Sequence, residues 1–240
     1  MIVVAAGPRL RLVTQRDHAH LAAELLSLFP ALADEPRRAA LLRATRRHDD
    51  GWQGVDAAPP VDEEGRPHDF LGLPWSFRSE IWDRGTSLPD VDDETALLIA
   101  EHALALHREH RGREGPGGRL VELLEARREQ VRERLGQAAS HQVSLLYPWL
   151  GAADLLSLIV VNGWKGRTFE LDMPADRAPR RARLEPRGLL LDPFPLAGST
   201  TLHYPERRIE SRQYRSTFDL GTALARARWV VDSVTIRSWS

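Results

Sequence analysis

Asp154 is the carboxylate in an otherwise largely apolar stretch, Leu150-Gly-Ala-Ala-Asp-Leu-Leu-Ser-Leu-Ile-Val-Val161. Burying a carboxylate without a partner costs several kcal/mol, comparable to the net stability of a whole domain. Asp154 therefore needs an arginine, a histidine or a metal ion beside it. The chain offers suitable groups on other helical stretches. His48-Asp49 closes one, and His102 sits between Ala100-Glu101 and Ala103-Leu104 in another. Helices that each turn a metal-type ligand toward a common core point to a metal centre.

Taken singly, each of these residues has an ordinary explanation. A His-Asp pair at a helix end usually faces water, and a histidine on an apolar helix is more often a hydrogen-bonded core residue than a ligand. His18, in the first turn of the first helix, reads alone as a capping or surface residue. Asp154 reads alone as one half of a buried ion pair with one of the many arginines. One cause accounts for all of them more simply than four separate ones. A site built from His18, His48, Asp49 and Asp154, with His102 nearby, explains why polar groups recur on apolar helix faces. Exposed carbonyls at the end of the His48 helix favour a cation there. The chain has no cysteine, so any metal must be held by nitrogen and oxygen, which suits Mn²⁺, Fe²⁺, Co²⁺, Ni²⁺ or Zn²⁺. A second His-Asp pair, His68-Asp69, lies in a proline-flanked stretch and reads as a decoy. His107 and His110 sit beside arginines and read as solvated, and His141 and His203 have no clear partner.

The elements that must position these groups follow from periodicity and punctuation. Ile2–Ala5 and Leu10–Thr14 flank Gly7-Pro8 as a β-hairpin. A helix opening at Thr14 or Asp17 runs through Leu28 and stops at Pro30. A second runs from Glu35-Pro36 to His48-Asp49-Asp50, with Gly51 as its C-terminal cap. Trp52–Trp75, rich in Pro, Gly and Asp, reads as a long loop, and loops of that length are often functional. Helices follow at Ser76–Arg84, at Glu94–His110 with acidic residues at its start, at Leu120–Leu135, and around Asp154 to Asn162-Gly163. Beyond Gly166 short β-like runs replace helical spacing, with a helix at Thr217–Arg226 and a last strand at Trp229–Ile236. Arg177–Arg183 is basic without interleaved aromatics and reads as a solvated loop or edge strand rather than a nucleic-acid surface. The expected architecture is α+β: a mainly helical bundle carrying the site, an N-terminal hairpin, and a small C-terminal antiparallel β portion. The expected division is 1–166 for the metal-binding helical domain and 167–240 for the β-rich part, which with the hairpin can form one compact unit.

Bulk properties narrow the function class. At 240 residues, 42% hydrophobic and 28% charged, the composition is that of a globular protein, and a formal net charge of -1 gives no field that gathers nucleic acid or an acidic membrane. Met1–Pro8 carries no basic leader, and the apolar run Leu155–Val161 is too short to span a bilayer. A cytoplasmic protein acting on a small molecule is expected, without nucleic-acid or membrane partners.

The order of ligands has a precedent. His, then His-Asp, then His, then Asp over successive helices resembles the HD-domain superfamily of metal-dependent phosphohydrolases. The local motifs Gln15-Arg-Asp-His18-Ala, His48-Asp-Asp-Gly-Trp52, Gly65-Arg-Pro-His-Asp-Phe70, Glu101-His102 and Ala153-Asp-Leu-Leu-Ser-Leu158 together resemble a bacterial family known only as a domain of unknown function. The superfamily resemblance implies that His18, His48, Asp49 and Asp154 bind one divalent metal. Two-metal members use two further histidines. His102 can be one, and none of His68, His107, His110 or His141 stands out as the other, so one ion is favoured over two.

The implied activity is metal-assisted hydrolysis of a small phosphorylated or nucleotide-like substrate. Asp49 or Asp50 would orient or deprotonate water, Arg47 and Arg78 would neutralise phosphate charge, and Trp52 would wall the pocket. The alternatives are a diiron oxygenase of the same superfamily and a non-catalytic, metal-stabilised binding module. Oligomeric state has no signature in the sequence.

Overall fold

The computed structural model describes residues 1–173 and 179–239. Its chain order begins with strands β1 (Ile2–Ala6) and β2 (Arg9–Val13). A helical section follows: α1 (Gln15–Ser27), α2 (Arg38–Arg47), α3 (Gln53–Ala57), α4 (Trp75–Gly85), α5 (Asp93–His107), α6 (Pro116–Leu135), α7 (Gln137–Ser144) and α8 (Tyr147–Asn162). The chain then adds β3 (Thr168–Glu170), β4 (Arg181–Glu185), β5 (Gly188–Asp192), β6 (Thr200–Glu210), α9 (Thr217–Arg226) and β7 (Trp229–Ser238).

All seven strands form one sheet in the order β1-β2-β6-β7-β5-β4-β3. Neighbours are antiparallel except β5 and β7, which run parallel. This overturns the expectation of a mainly helical bundle with a small C-terminal β portion. The structure is α+β with a seven-stranded mixed sheet that takes strands from both ends of the chain. The physical reason is the pairing of β2 with β6, where Leu10 faces Ile209 and Leu12 faces Arg207. Hydrophobic spacing marks a strand but carries no record of a partner so distant in sequence.

One face of the sheet packs on the main core, and α9 covers part of the other, over β2 and β6. Side chains of successive strand residues point to opposite sides, and β2 shows the result. Val13 joins the main core with α1, α2, α5 and α8, while Leu12 joins a second cluster with Tyr214 and with Leu220 and Leu224 of α9. α8 is the central helix of the main core. It packs against α1, α2, α5 and strands β1 and β4, and it ends at Gly163, whose left-handed conformation closes the helix. By length and composition Gln137–Asn162, which joins α7 to α8, could cross a membrane, so the apolar run is longer than Leu155–Val161 alone; yet 61% of its apolar window is buried inside the fold, as in a core helix.

Other expectations change locally. Trp52–Trp75 is not an unstructured loop: it contains α3, a bridge between Val61 and Pro67, and a 3-10 turn at Phe70–Gly72. Gly51 is not a left-handed helix cap. It lies in a 3-10 turn, Asp50–Trp52, where a Cβ would meet the Ile81 carbonyl oxygen at 2.1 Å. Glycine is needed there because the backbone of α4 presses directly on it. Of the basic run Arg177–Arg183, Arg177 and Ala178 lie outside the described residues. Arg181–Arg183 belongs to β4, which pairs on both sides and so is not an edge strand.

Candidate metal centre

Four elements deliver the polar core. Thr14 caps α1 by accepting from the Asp17 backbone N–H, which starts the helix so that His18 points inward. α2 ends at His48, and Asp49 follows directly, its carbonyl accepting from the Trp52 N–H at 3.0 Å. Asp92 caps α5, which carries His102, and α8 carries Asp154. His18, His48 and His102 are each 1% exposed, and Asp49 and Asp154 are 6% and 7%.

These side chains converge. His18 Nε2 lies 2.7 Å from Asp49 Oδ2. His48 Nε2 lies 3.5 Å from Asp49 Oδ2 and 3.4 Å from Asp154 Oδ1, and His102 Nε2 lies 3.8 Å from Asp154 Oδ2. Two groups of potential ligand atoms result, His18 with His48 and Asp49, and His48 with His102 and Asp154. Within each, the atoms lie within 4.8 Å of one another. The buried His and Asp groups can therefore hold a metal ion.

Outer hydrogen bonds fix which ring nitrogens are basic. Ser157 Oγ donates its only hydrogen to the Asp154 carbonyl at 2.8 Å. It can then only accept from His18 Nδ1, which is 2.8 Å away, so that nitrogen carries a proton. His48 Nδ1 likewise donates to the Thr45 carbonyl at 2.7 Å. In both neutral rings the lone pair then sits on Nε2, and both Nε2 atoms face carboxylate oxygens. Lone pairs aimed at carboxylates repel unless something positive lies between them. Either the rings take up a second proton or a cation occupies the space. The residues fit a divalent ion on this ground. Outer partners that fix ring orientation are the usual second layer of histidine metal sites.

The electrostatics agree. Burial opposes charge on His48, but Asp49 and Asp154 overcome it and hold its pKa well above the ordinary value. Burial alone would raise Asp49, yet His48 and the adjacent His18 ring hold its carboxyl well below the usual range. Asp154 is also buried, and the contact with His48 together with the nearby His102 ring lowers it. His102 is held down at about 4 by burial and by the neighbouring His48. Among the described residues, its Nδ1 is buried with no hydrogen-bond partner, and so is His48 Nε2.

The other residues singled out from the sequence lie as follows. Asp50 pairs with Arg47 Nε at 2.7 Å, and the same guanidinium grips Asp90 through two bonds of 2.9 and 3.0 Å. Arg78 donates to the carbonyls of Leu71 and Leu73 and lies over the Trp75 ring. Both arginines are thus engaged in holding surrounding backbone and acids. Trp52 is buried with Leu73 and Ile81. His68-Asp69 is apart from the cluster, and the Asp69 carboxylate accepts from the backbone N–H groups of Val3 and Leu71. His107 donates to the Ala103 carbonyl and packs against Trp82, and His110 packs edge-on against Trp75.

Sequence reasoning passed over Ser157, Thr45 and Tyr147. Ser157 stands three residues after Asp154 and Thr45 three before His48, a helical spacing that could have marked both. Tyr147 sits two turns before Asp154, its ring 6.1 Å from that of His102. Its pKa is pushed up to about 12 by burial and by Asp154. Its hydroxyl runs along α8 beside Gly151, where a Cβ would come within 3.3 Å of it.

Over residues 1–211 the chain matches the model of a family described as a protein of unknown function (DUF3891), and it belongs to that family. No curated protein matches it, and no solved structure does.

Proposed function

We propose that this member of the DUF3891 family is a metal-dependent phosphohydrolase of the HD-domain type, acting on a small phosphorylated or nucleotide-like molecule. The observation that carries the reading is the pair of basic nitrogens, His18 Nε2 and His48 Nε2, aimed at the carboxylates of Asp49 and Asp154. His18, His48, Asp49 and Asp154 would hold the ion, with His102 beside them. When bound, a divalent transition metal supplies a Lewis acid that polarises a phosphoryl oxygen and makes water acidic.

The chain's own groups provide the rest. The proton on His18 Nδ1 is committed to Ser157 and that on His48 Nδ1 to Thr45, so neither ring can rotate its basic nitrogen away. Asp49 and Asp154 stay ionised through the neutral range because both pKa values are depressed. Tyr147, with its pKa at about 12, keeps its proton at neutral pH and can donate a hydrogen bond to a leaving oxygen. Asp50, tied to Arg47, would orient water from just outside the cluster. Burial of the ligands excludes bulk solvent and strengthens each of these interactions. Both candidate ligand groups share His48, which favours one ion over two and so sets the diiron reading behind this one.

The test is metal content by mass spectrometry on wild type and His48→Ala, followed by phosphate release from a panel of phosphomonoesters and nucleotides. The expected result is a transition metal bound by the wild type and lost in the variant, with turnover lost alongside it. Absence of metal after reconstitution with each of Mn²⁺, Fe²⁺, Co²⁺, Ni²⁺ and Zn²⁺ overturns the reading. Metal uptake without turnover on the panel leaves a metal-stabilised binding module instead.

A further inference from the structure

β5 pairs with β7 only from Leu189 opposite Ile236 onward. The preceding stretch of β7, Asp232–Thr235, is held by β6 on one side and has no strand on the other among the described residues. A cavity of about 390 Å³ lies in that gap. One wall is β7 itself, another is the β4–β5 turn Glu185–Gly188, and a third is the C-terminal end of α8. Gly188 sets the seam. Its φ is 136°, and a Cβ there would meet the Thr235 carbonyl oxygen at 2.0 Å, so glycine is what lets the turn lie against β7. The volume falls within the range of about 300–1,000 Å³ usual for small-molecule sites.

Arg11, Lys165, Glu185, Arg187 and Asp232 are the charged residues that line this cavity. Its two acids are already matched. Glu185 pairs with Arg183 Nε at 2.5 Å, and Asp232 lies 3.6 Å from Arg11 Nη1 and accepts from the Tyr204 hydroxyl at 3.2 Å. Arg11 is committed further, to the fully buried Glu206 at 3.2 Å and to the Val161 carbonyl at 2.6 Å. The surplus charge is therefore that of Lys165 and Arg187, both exposed, above buried Val160, Leu184 and Tyr204. Neither cation forms an ion pair among the described residues. Lys165 is also the only lysine among the chain's 33 lysines and arginines. The chain uses arginine at every other such position, and a compact ammonium differs from the wider guanidinium fork in the space it needs beside an anion.

We propose that this cavity binds the phosphoryl group of a small molecule, with the Lys165 ammonium and the Arg187 guanidinium as its counter-charges. Lysine meets phosphate as a point charge and arginine as a planar fork. The site is separate from the metal centre: Gly163, which also lines it, caps α8 about 13 Å along the helix axis from Asp154. It needs no metal and does not depend on the phosphohydrolase reading. The competing account is that Lys165 only offsets the negative end of α8, as cations near helix C-termini do. On that account the cavity takes up no anion, and loss of the charge lowers stability.

The experiment titrates inorganic phosphate calorimetrically into the metal-free forms of wild type, His48→Ala, Lys165→Met, Lys165→Arg and Arg187→Met, against chloride at matched ionic strength. Wild type and His48→Ala are expected to bind one phosphate per chain with similar affinity. Lys165→Met and Arg187→Met are expected to bind at least ten-fold more weakly, with far-UV circular dichroism unchanged. Lys165→Arg, which keeps the charge, is expected to lie between wild type and Lys165→Met. Absence of saturable phosphate binding by wild type overturns the inference, and so does wild-type affinity in both Lys165→Met and Arg187→Met. Binding lost in His48→Ala alone would put the anion at the metal centre and overturns it too. A lower melting temperature in Lys165→Met, with no effect on phosphate, establishes the helix-end account instead.

Discussion

His18 Nε2 lies 2.7 Å from Asp49 Oδ2, while the proton on the other nitrogen of the same ring is committed to Ser157. The ring is thereby a wedge: one edge is tied to α8, and the other is pressed as a base against a carboxylate from the end of α2. This relationship makes Ser157 a residue of consequence although it touches no carboxylate side chain. Ser157→Ala removes the acceptor for His18 Nδ1 and frees the ring to turn. Loss of such an outer partner weakens metal binding by about 10–100-fold. The expected result is a Mn²⁺ or Co²⁺ affinity reduced by that order with the far-UV circular dichroism unchanged. An unaltered affinity would show that the orientation is fixed by packing alone.

One part of the pH dependence of stability follows from His102. Its pKa is about 4 in the folded protein against an ordinary 6.5. Between those values the unfolded chain binds a proton that the folded one does not, so the His102 contribution falls as pH drops from about 6.5 to about 4 and is flat above, whereas His48, whose pKa is raised, adds stability that is lost as pH rises through its folded value. For the fully buried His102 the loss amounts to about 3 kcal/mol, an order-of-magnitude figure. Denaturant titrations of the metal-free protein across that range should show the slope, and His102→Gln should flatten it. An equal slope in the variant would assign the effect to other groups.

Gly51 gives a test of how the Asp49 end of the site is held. A Cβ there would lie 2.1 Å from the Ile81 carbonyl oxygen and 2.9 Å from the Gly85 nitrogen, both backbone atoms that cannot swing aside. Gly51→Ala should cost about 1–3 kcal/mol, as overpacking does elsewhere, and should weaken metal binding by displacing Asp49, two residues away. Denaturation and a metal titration on the same protein check both effects. If stability falls and affinity does not, the turn and the site are mechanically separate.

The sheet makes its own prediction. Ile236 of β7 is fully buried, with partners Leu189 on one side and Thr200 on the other. Ile236→Ala should destabilise the protein by about 2–5 kcal/mol, measured by chemical denaturation. A change under 1 kcal/mol would mean that β7 adds little to the core.

The convergence of His18, His48, Asp49, His102 and Asp154 was legible because polar groups on apolar helix faces stand out against their surroundings. The roles of Ser157 and Thr45 were not: Ser157 accepts through a hydroxyl that apolar helices carry for many reasons, with only its spacing from Asp154 to mark it, and Thr45 contributes a backbone carbonyl, which leaves no mark on residue type. Gly51 was misread as a helix cap because close approach of a second backbone selects the same residue as a left-handed turn. The mixed sheet escaped for a different reason. The short runs beyond Gly166 announced strands, but the pairing of β2 with β6 depends on which surfaces the intervening helices leave free.

The place of β7 has a consequence for how the molecule is made. β7 lies between β5 and β6 and is the last of the strands in chain order. During synthesis from the N-terminus, β1-β2-β6 and β5-β4-β3 can each assemble, but the two ribbons stay unjoined until residues 229–238 have left the ribosome. For that interval β5 and β6 both present open hydrogen-bonding edges, the feature most prone to pair with a neighbouring chain. The nascent protein is thus vulnerable to aggregation from the emergence of β6 until β7 has paired, and a chaperone that shields strand edges would have its effect in that window.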